Sequence, residues 1–278
     1  MSSSEKKRLA IVGCGKLGNI VTEACCMGLL PEYELVGVLG RNRDHAQALA
    51  EKGNCKVCEN LEELMELKPD YVAEMASVQM VKDMAETVLA GGANLVVLSI
   101  GAFADQEFYQ KVQKTAREHK RRVHIASGAI GGFDVLRTVA LMGHLNQEKA
   151  ASKGEESKQI TNMVTRKGPA SLKNTPVFRE ELMESKEDTE VFAGNTKEAI
   201  ALLPTKVNVS VAASIASAGT EKMDFHIISV PGMIGDDHKI TEEIDGVTAV
   251  VDVYSRTSDI AGWSVVALLQ NLVSPIMF

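Results

Sequence analysis

The chain has 278 residues and a mass of 30.0 kDa, which allows one to two domains. Lys+Arg number 30 against Asp+Glu 37, a net charge of −7 with no long run of one sign, which argues against a nucleic-acid partner. Apolar residues make up 45% and aromatics only 4%, with 22 glycines, so the interior is aliphatic and the turns are tight, as in α/β proteins.

In chain order, Arg8 to Gly13 is an aliphatic run closed by glycine, and Lys16 to Leu29 repeats Leu17, Ile20, Val21 and Ala24 at helical spacing. A strand over Glu34 to Leu39 and a helix over Arg43 to Glu51 follow, then an edge strand holding Cys55 and Cys58. Strands at Tyr71 to Met75, Asn94 to Ile100 and Val123 to Ala126 alternate with helices at Val78 to Ala90 and Asp105 to His119. This alternation predicts a doubly wound parallel sheet covered on both faces.

Past Asp134 the texture changes to charge-rich segments, Asn146 to Lys158 and Arg179 to Glu190, with strand-like runs between and after them. The domain boundary is therefore expected near Gly132, giving domains over 1–132 and 133–255 and a closing segment over 256–278. Val207 to Ala218 reads as a helix of small residues stopped by Gly219. Met223 to Val230 and Ile240 to Tyr254 read as strands, and Thr257 to Val273 as the closing helix.

Two uncharged stretches, Thr87 to Ala104 and Ile260 to Phe278, are too interrupted by Gly, Asn, Ser, Gln or Pro for a membrane span. Met1 to Arg8 leads into no cleavable signal, and five cysteines in the first quarter of the chain are expected as reduced thiols in a cytoplasmic protein. Cys55-x-x-Cys58 has no second ligand pair, so no metal is expected there.

Gly13-Cys14-Gly15-Lys16-Leu17-Gly18 is G-x-G-x-x-G directly after a strand and opening a helix, the context of a Rossmann-type dinucleotide site. Glycine there lets backbone approach a pyrophosphate at a helix N-terminus. NAD would call for an acid about 20 residues further on, at the end of the second strand. Gly40 occupies that place and Arg41 follows, so NADP is favoured over NAD through a guanidinium on the 2′-phosphate, although these arginines also fit a solvated helix start.

Two further glycine-rich loops end strands at the carboxyl edge of the sheet, one through Ser99 and Gly101, the other from Ser127 through Ala129 to Asp134. Their N–H groups suit a nicotinamide or a substrate carboxylate. Of six histidines, His238 follows Gly235-Asp236-Asp237 in what reads as a loop of the second domain. A carboxylate neighbour there would hold its tautomer and raise its pKa toward the working range.

Together GCGKLG, LVVLSIGAFAD around Ser99, SGAIGGFD from Ser127, Thr165-Arg166-Lys167-x-Pro169, Val191-Phe192-x-Gly194, Pro204-x-x-Val207-Asn208-Val209 and the segment ending in His238 resemble the L-aspartate dehydrogenase family over nearly the whole chain. The resemblance implies a nicotinamide enzyme with a Rossmann domain, a mixed α/β second domain, a closing helix returning to the first, and a homodimer. It implies that Ala129 and Asn208 contact the cofactor and that His238 is the acid/base in interconversion of L-aspartate with oxaloacetate and ammonia. A dicarboxylate needs cationic sites, for which Arg166, Lys167 and Arg256 are the candidates.

This chain departs from the family pattern near the substrate: Asp236-Asp237-His238 stands for Asn-x-His, Tyr254 to Ser258 for Asn-Pro-Lys-Thr-Ser, and Val230-Pro231 for Asp-Pro. An acid at Asp236 would repel a dicarboxylate and points to another oxo or amino acid, for instance one with a cationic end. Two alternatives stay open beside the aspartate reading: another NAD(P)-dependent oxidoreductase of this architecture, and a non-catalytic NAD(P)-binding sensor.

Overall fold

The structure, a computed structural model, describes residues 6–203 and 207–277. Two compact units are formed, one by the residues up to Gly128 with those from Asp259 onward, the other by Ala129–Ser258. In the first, β1 (Lys7–Val12), α1 (Lys16–Cys26), β2 (Tyr33–Leu39), α2 (Arg43–Gly53), β3 (Lys56–Cys58), α3 (Leu61–Glu66), β4 (Tyr71–Glu74), α4 (Val78–Ala90), β5 (Asn94–Val97), α5 (Gln106–Glu118) and β6 (Val123–Ile125) follow one another. The strands make a six-stranded parallel sheet in the order β3-β2-β1-β4-β5-β6. The winding reverses between β1 and β4, and the carboxyl ends of strands at such a switch point are where α/β sheets take ligands.

Local chemistry sets these elements. Leu9, Ala10, Ile11 and Val12 are all buried, as a strand covered on both faces requires. Side chains of Asn42, Asn60, Ser77 and Asp105 each accept a backbone N–H at the start of α2, α3, α4 and α5. The short α3 was not expected: it buries Leu64 alone and offers no repeat to read.

The second unit contains α6 (Phe133–Ala151), β7 (Ile160–Lys167), β8 (Thr189–Asn195), α7 (Thr196–Leu202), α8 (Asn208–Ala216), β9 (Asp224–Ser229), β10 (Asp236–Ile244) and β11 (Val247–Ser255). Its mixed five-stranded sheet runs β11-β10-β7-β9-β8, antiparallel except for the β7–β9 pair. The 19-residue α6 fills a stretch for which the sequence predicts no element and runs into the segment read only as charge-rich, Asn146 to Lys158. It buries only Leu136, Val139 and Gly143 while leaving Leu141 and Leu145 exposed, so no clean apolar stripe marks it in the sequence.

The final helix, α9 (Asp259–Val273), belongs to the first unit. Its Val265, Val266 and Leu269 complete the core formed by Leu9, Ile11, Val21 and Val38. Tyr33 Oη donates to the Leu269 carbonyl at 2.8 Å, Gln270 Nε2 to the Leu29 carbonyl at 2.8 Å, and the Gly128 N–H to Ser264 Oγ at 3.0 Å. Tyr33→Phe removes this bond while the Leu269 carbonyl keeps its partner in the α9 ladder, and is expected to cost about 0.5–1.5 kcal/mol, read as a lowered urea midpoint at unchanged slope. Among the described residues no helix is long and apolar enough to cross a membrane.

Candidate active site

Gly13, directly after β1, has φ +110°, and a Cβ there would lie 2.6 Å from the Met75 carbonyl carbon. A Cβ on Gly18 would overlap the Gly13 carbonyl oxygen, so the helix can sit against its own loop only as glycine. Gly15 differs: its φ is −85° and a Cβ there meets nothing within 4 Å. The capping position is Gly15 itself, which brings no side chain, the first turn of α1 holds no acid of its own, and the space over Gly15 is open, a cradle that fits a pyrophosphate. Lys16 pairs with Asp259, and Leu17 packs on the core.

At the end of β2, a Cβ on Gly40 would come within 2.9 Å of Cys14 Sγ, which leaves no room for an acidic side chain on this backbone. Arg41 is exposed and makes no ion pair or hydrogen bond with the described residues, whereas Arg43 is held by Glu59 at 2.7 Å. All five cysteines are free thiols, and burial pushes those of Cys14 and Cys25 up to about 11 and of Cys55 to about 12.

β5 stops at Val97, shorter than expected, because Ile100–Ala104 turns into a 3-10 helix that contains Gly101. Ser99, just before it, is buried and donates its hydroxyl and its N–H to Glu74. Sequence reasoning missed Glu74, although an acid ending the apolar run Tyr71 to Glu74 was the available signal. Ser127 is half-buried in the loop that Ser264 ties through Gly128.

In the second unit His238 lies on β10, not in a loop, and is 4% exposed. It stands opposite Thr165 of β7, whose Oγ1 is 3.0 Å from His238 Nδ1. The expected carboxylate partner is thus a hydroxyl. Two residues along on the same face, Lys167 Nζ is 3.4 Å from Asp236 Oδ1, with only 15% of the lysine side chain exposed. Arg166 points to the opposite face, where Asp188 holds it at 3.0 Å, and the exposed Arg256 donates Nε to Tyr254 Oη at 3.3 Å. Ala129 is half-buried at the start of this unit, and half-buried Asn208 opens α8. Pro204 of the motif before Asn208 lies outside the described residues.

Burial, and after it the charge of Lys167, pushes the His238 pKa down to about 4 against the opposing pull of Asp236. This reverses the expected upward shift, because desolvation disfavours the imidazolium more than one paired acid favours it. Its imidazole is neutral above that value. Lys167→Met removes a cation that lowers this pKa, so the titration of the His238 ring is expected to move up toward pH 6.5; NMR titration of the ring in the two proteins checks it. A cavity of about 260 Å³ within this unit is lined by Arg137, Leu141, His144, Gln159 and Lys222, and His238 is not part of it.

An L-aspartate dehydrogenase of Methanococcus maripaludis (strain C5) is 31% identical, over 97% of this chain and 98% of that protein. The chain belongs to the L-aspartate dehydrogenase family. The family model described as aspartate dehydrogenase, C-terminal, matches residues 147–272, and that of the homoserine dehydrogenase NAD binding domain matches residues 13–126. The L-aspartate dehydrogenase of Methanocaldococcus jannaschii is 28% identical over 97% of this chain and 98% of its own length. The fold of this L-aspartate dehydrogenase family member is shared with the crystal structure of aspartate dehydrogenase from Thermotoga maritima, with a TM-score of 0.75 at 24% identity, covering 98% of this chain and 99% of that one.

Proposed function

We propose that this chain is an NAD(P)-dependent L-aspartate dehydrogenase that interconverts L-aspartate with oxaloacetate and ammonia through iminosuccinate. The observation that carries the reading is the buried His238, held by Thr165 beside the Lys167–Asp236 pair, in a chain of this family. The nicotinamide cofactor, when bound, accepts or gives the hydride.

Gly13, Gly15, Lys16, Leu17 and Gly18 would hold its pyrophosphate at the start of α1, with Ser99, Gly101, Ala129 and Asn208 contributing toward the nicotinamide end. Thr165 engages Nδ1, so proton exchange falls to His238 Nε2. Neutral at working pH, that nitrogen takes a proton from the water that attacks the imine, and returns it in the aminating direction. Lys167, on the His238 face of the second sheet, is the candidate cation for a substrate carboxylate and would exchange its contact with Asp236 for it; Ser127 and Arg256 stay further candidates, and Arg166 is engaged by Asp188 on the other face. Asp236 is paired with Lys167, so the two charges offset each other toward a substrate, and an amino or oxo acid with a cationic end remains the alternative to be included in the substrate panel.

The deciding experiment follows nicotinamide absorbance over a panel of 2-oxo acids with and without ammonium. Turnover requiring both oxaloacetate and ammonium is the expected result; cofactor binding without turnover on any oxo acid would overturn it. For the cofactor, Gly40 without room for an acid and the exposed Arg41 favour NADP. Arg41→Ala is expected to weaken NADPH binding about tenfold and leave NADH nearly unchanged in parallel titrations.

The family resemblance, with Val250 and Tyr254 exposed on the β11 face away from Val139, supports a homodimer, to be read by sedimentation equilibrium. Five free thiols suit the reducing cytoplasm.

A further inference from the structure

We propose that Glu74 is a positioning residue for the cofactor: a buried carboxylate that fixes the turn after β4 and the turn after β5 against the glycine loop. The inference rests on the dinucleotide-binding reading of this unit.

Glu74 ends β4 in register with Val12 of β1 and Val97 of β5, at the carboxyl ends of three adjacent strands. It has no solvent exposure. Its Oε1 accepts the N–H groups of Ala76 at 2.7 Å and Ser77 at 2.9 Å and the Ser99 hydroxyl at 2.8 Å, and its Oε2 accepts the Ser99 N–H at 3.0 Å. Burial pushes its pKa up, and these donors oppose the shift. Removing a carboxylate from water is costly, and charge-assisted hydrogen bonds to the ionised form are what offset that cost. Three of the four partners are backbone N–H groups, which can only donate, so the site is built for the carboxylate oxygens as acceptors.

The donors belong to two turns, and a third loop rests on one of them. Ala76 and Ser77 lie just past Met75, whose carbonyl carbon would be 2.6 Å from a Cβ on Gly13; Ala76 N would be 2.9 Å from it. Ser77 in turn caps α4 by accepting the Met80 N–H at 3.1 Å. Ser99 begins the 3-10 turn that contains Gly101. One side chain therefore sets the spacing between the pyrophosphate loop and the turn assigned to the nicotinamide end, and a displacement of about 1 Å in such positioning can cost on the order of 100-fold.

Glu74→Gln tests this, because an amide must turn an NH2 toward donors that need an acceptor. Titration with NADPH and NADH, followed by nicotinamide fluorescence, reads the Kd of the folded fraction, and steady-state kinetics read KM for cofactor and amino acid separately. The expected result is a cofactor Kd and KM raised about tenfold or more, with the amino-acid KM within about twofold of the parent. A lowered melting temperature with the parent's cofactor Kd would mean a purely structural role and overturn the proposal. Should Glu74→Gln not fold, Glu74→Asp keeps the charge and shortens the reach; weaker cofactor binding supports the proposal and parental affinity sinks it. Failure of the parent protein to bind either dinucleotide would instead sink the dinucleotide reading.

Discussion

His238→Gln is expected to lower turnover by about 100- to 10,000-fold, the range typical of losing a positioned acid/base, while the cofactor dissociation constant stays where it was. The substitution keeps a polar side chain at a site only 4% exposed, so folding is not the quantity that changes most. Two measurements separate the outcomes: single-turnover absorbance for chemistry and fluorescence titration for cofactor binding. Full turnover in the variant would remove His238 from the reaction. Thr165→Val, which deletes the hydroxyl 3.0 Å from Nδ1, should show a smaller loss in the same assay, because it frees the ring rather than deleting it.

The second large effect is expected in the glycine loop, where two glycines should respond in opposite ways. Gly18→Ala places a methyl on the Gly13 carbonyl oxygen and 3.5 Å from Ile11 Cγ2. α1 could relieve the overlap only by withdrawing Ile20, Val21 and Ala24 from the core. A destabilisation of about 1–3 kcal/mol or more and loss of dinucleotide binding are expected. Gly15→Ala puts its methyl into open space at a φ any residue adopts, so stability should change by about 1 kcal/mol at most. Cofactor affinity should nonetheless fall, since the methyl occupies space that the pyrophosphate needs. Thermal melts and titrations on the pair decide this; equal losses of stability would contradict the geometry.

Most of the first unit was legible because parallel strands buried on both faces, such as Leu9 to Val12, are continuous apolar runs, and the helices between them carry one-sided stripes. The second unit was harder to read. α6 disperses its apolar residues around its circumference, and β10 alternates buried residues with charged ones, so Asp236 to Lys239 looked like a loop. The family resemblance singled out His238 as the candidate acid/base, but not its partner. Strand alternation sends Asp237 to the other face, and the residue that meets the ring, Thr165, comes from a strand paired by register alone. Likewise neighbours in sequence, Arg166 and Lys167, look equivalent until the pleat separates them.

The place of α9 bears on how the chain is made. Leu269 receives the Tyr33 hydroxyl across a separation of 236 residues, and in chain order all of the second unit comes between the six strands of the first unit and α9. A ribosome therefore releases the glycine loop, the strands and the whole second unit before the helix that seals the dinucleotide-binding core emerges. Until then Leu9, Val21 and Val38 lack Val265 and Leu269 as neighbours. Synthesis runs at about 5–20 residues per second, so the nascent first unit waits with an uncovered apolar seam for roughly 6 to 30 seconds while Ala129–Ser258 can fold as a unit of its own.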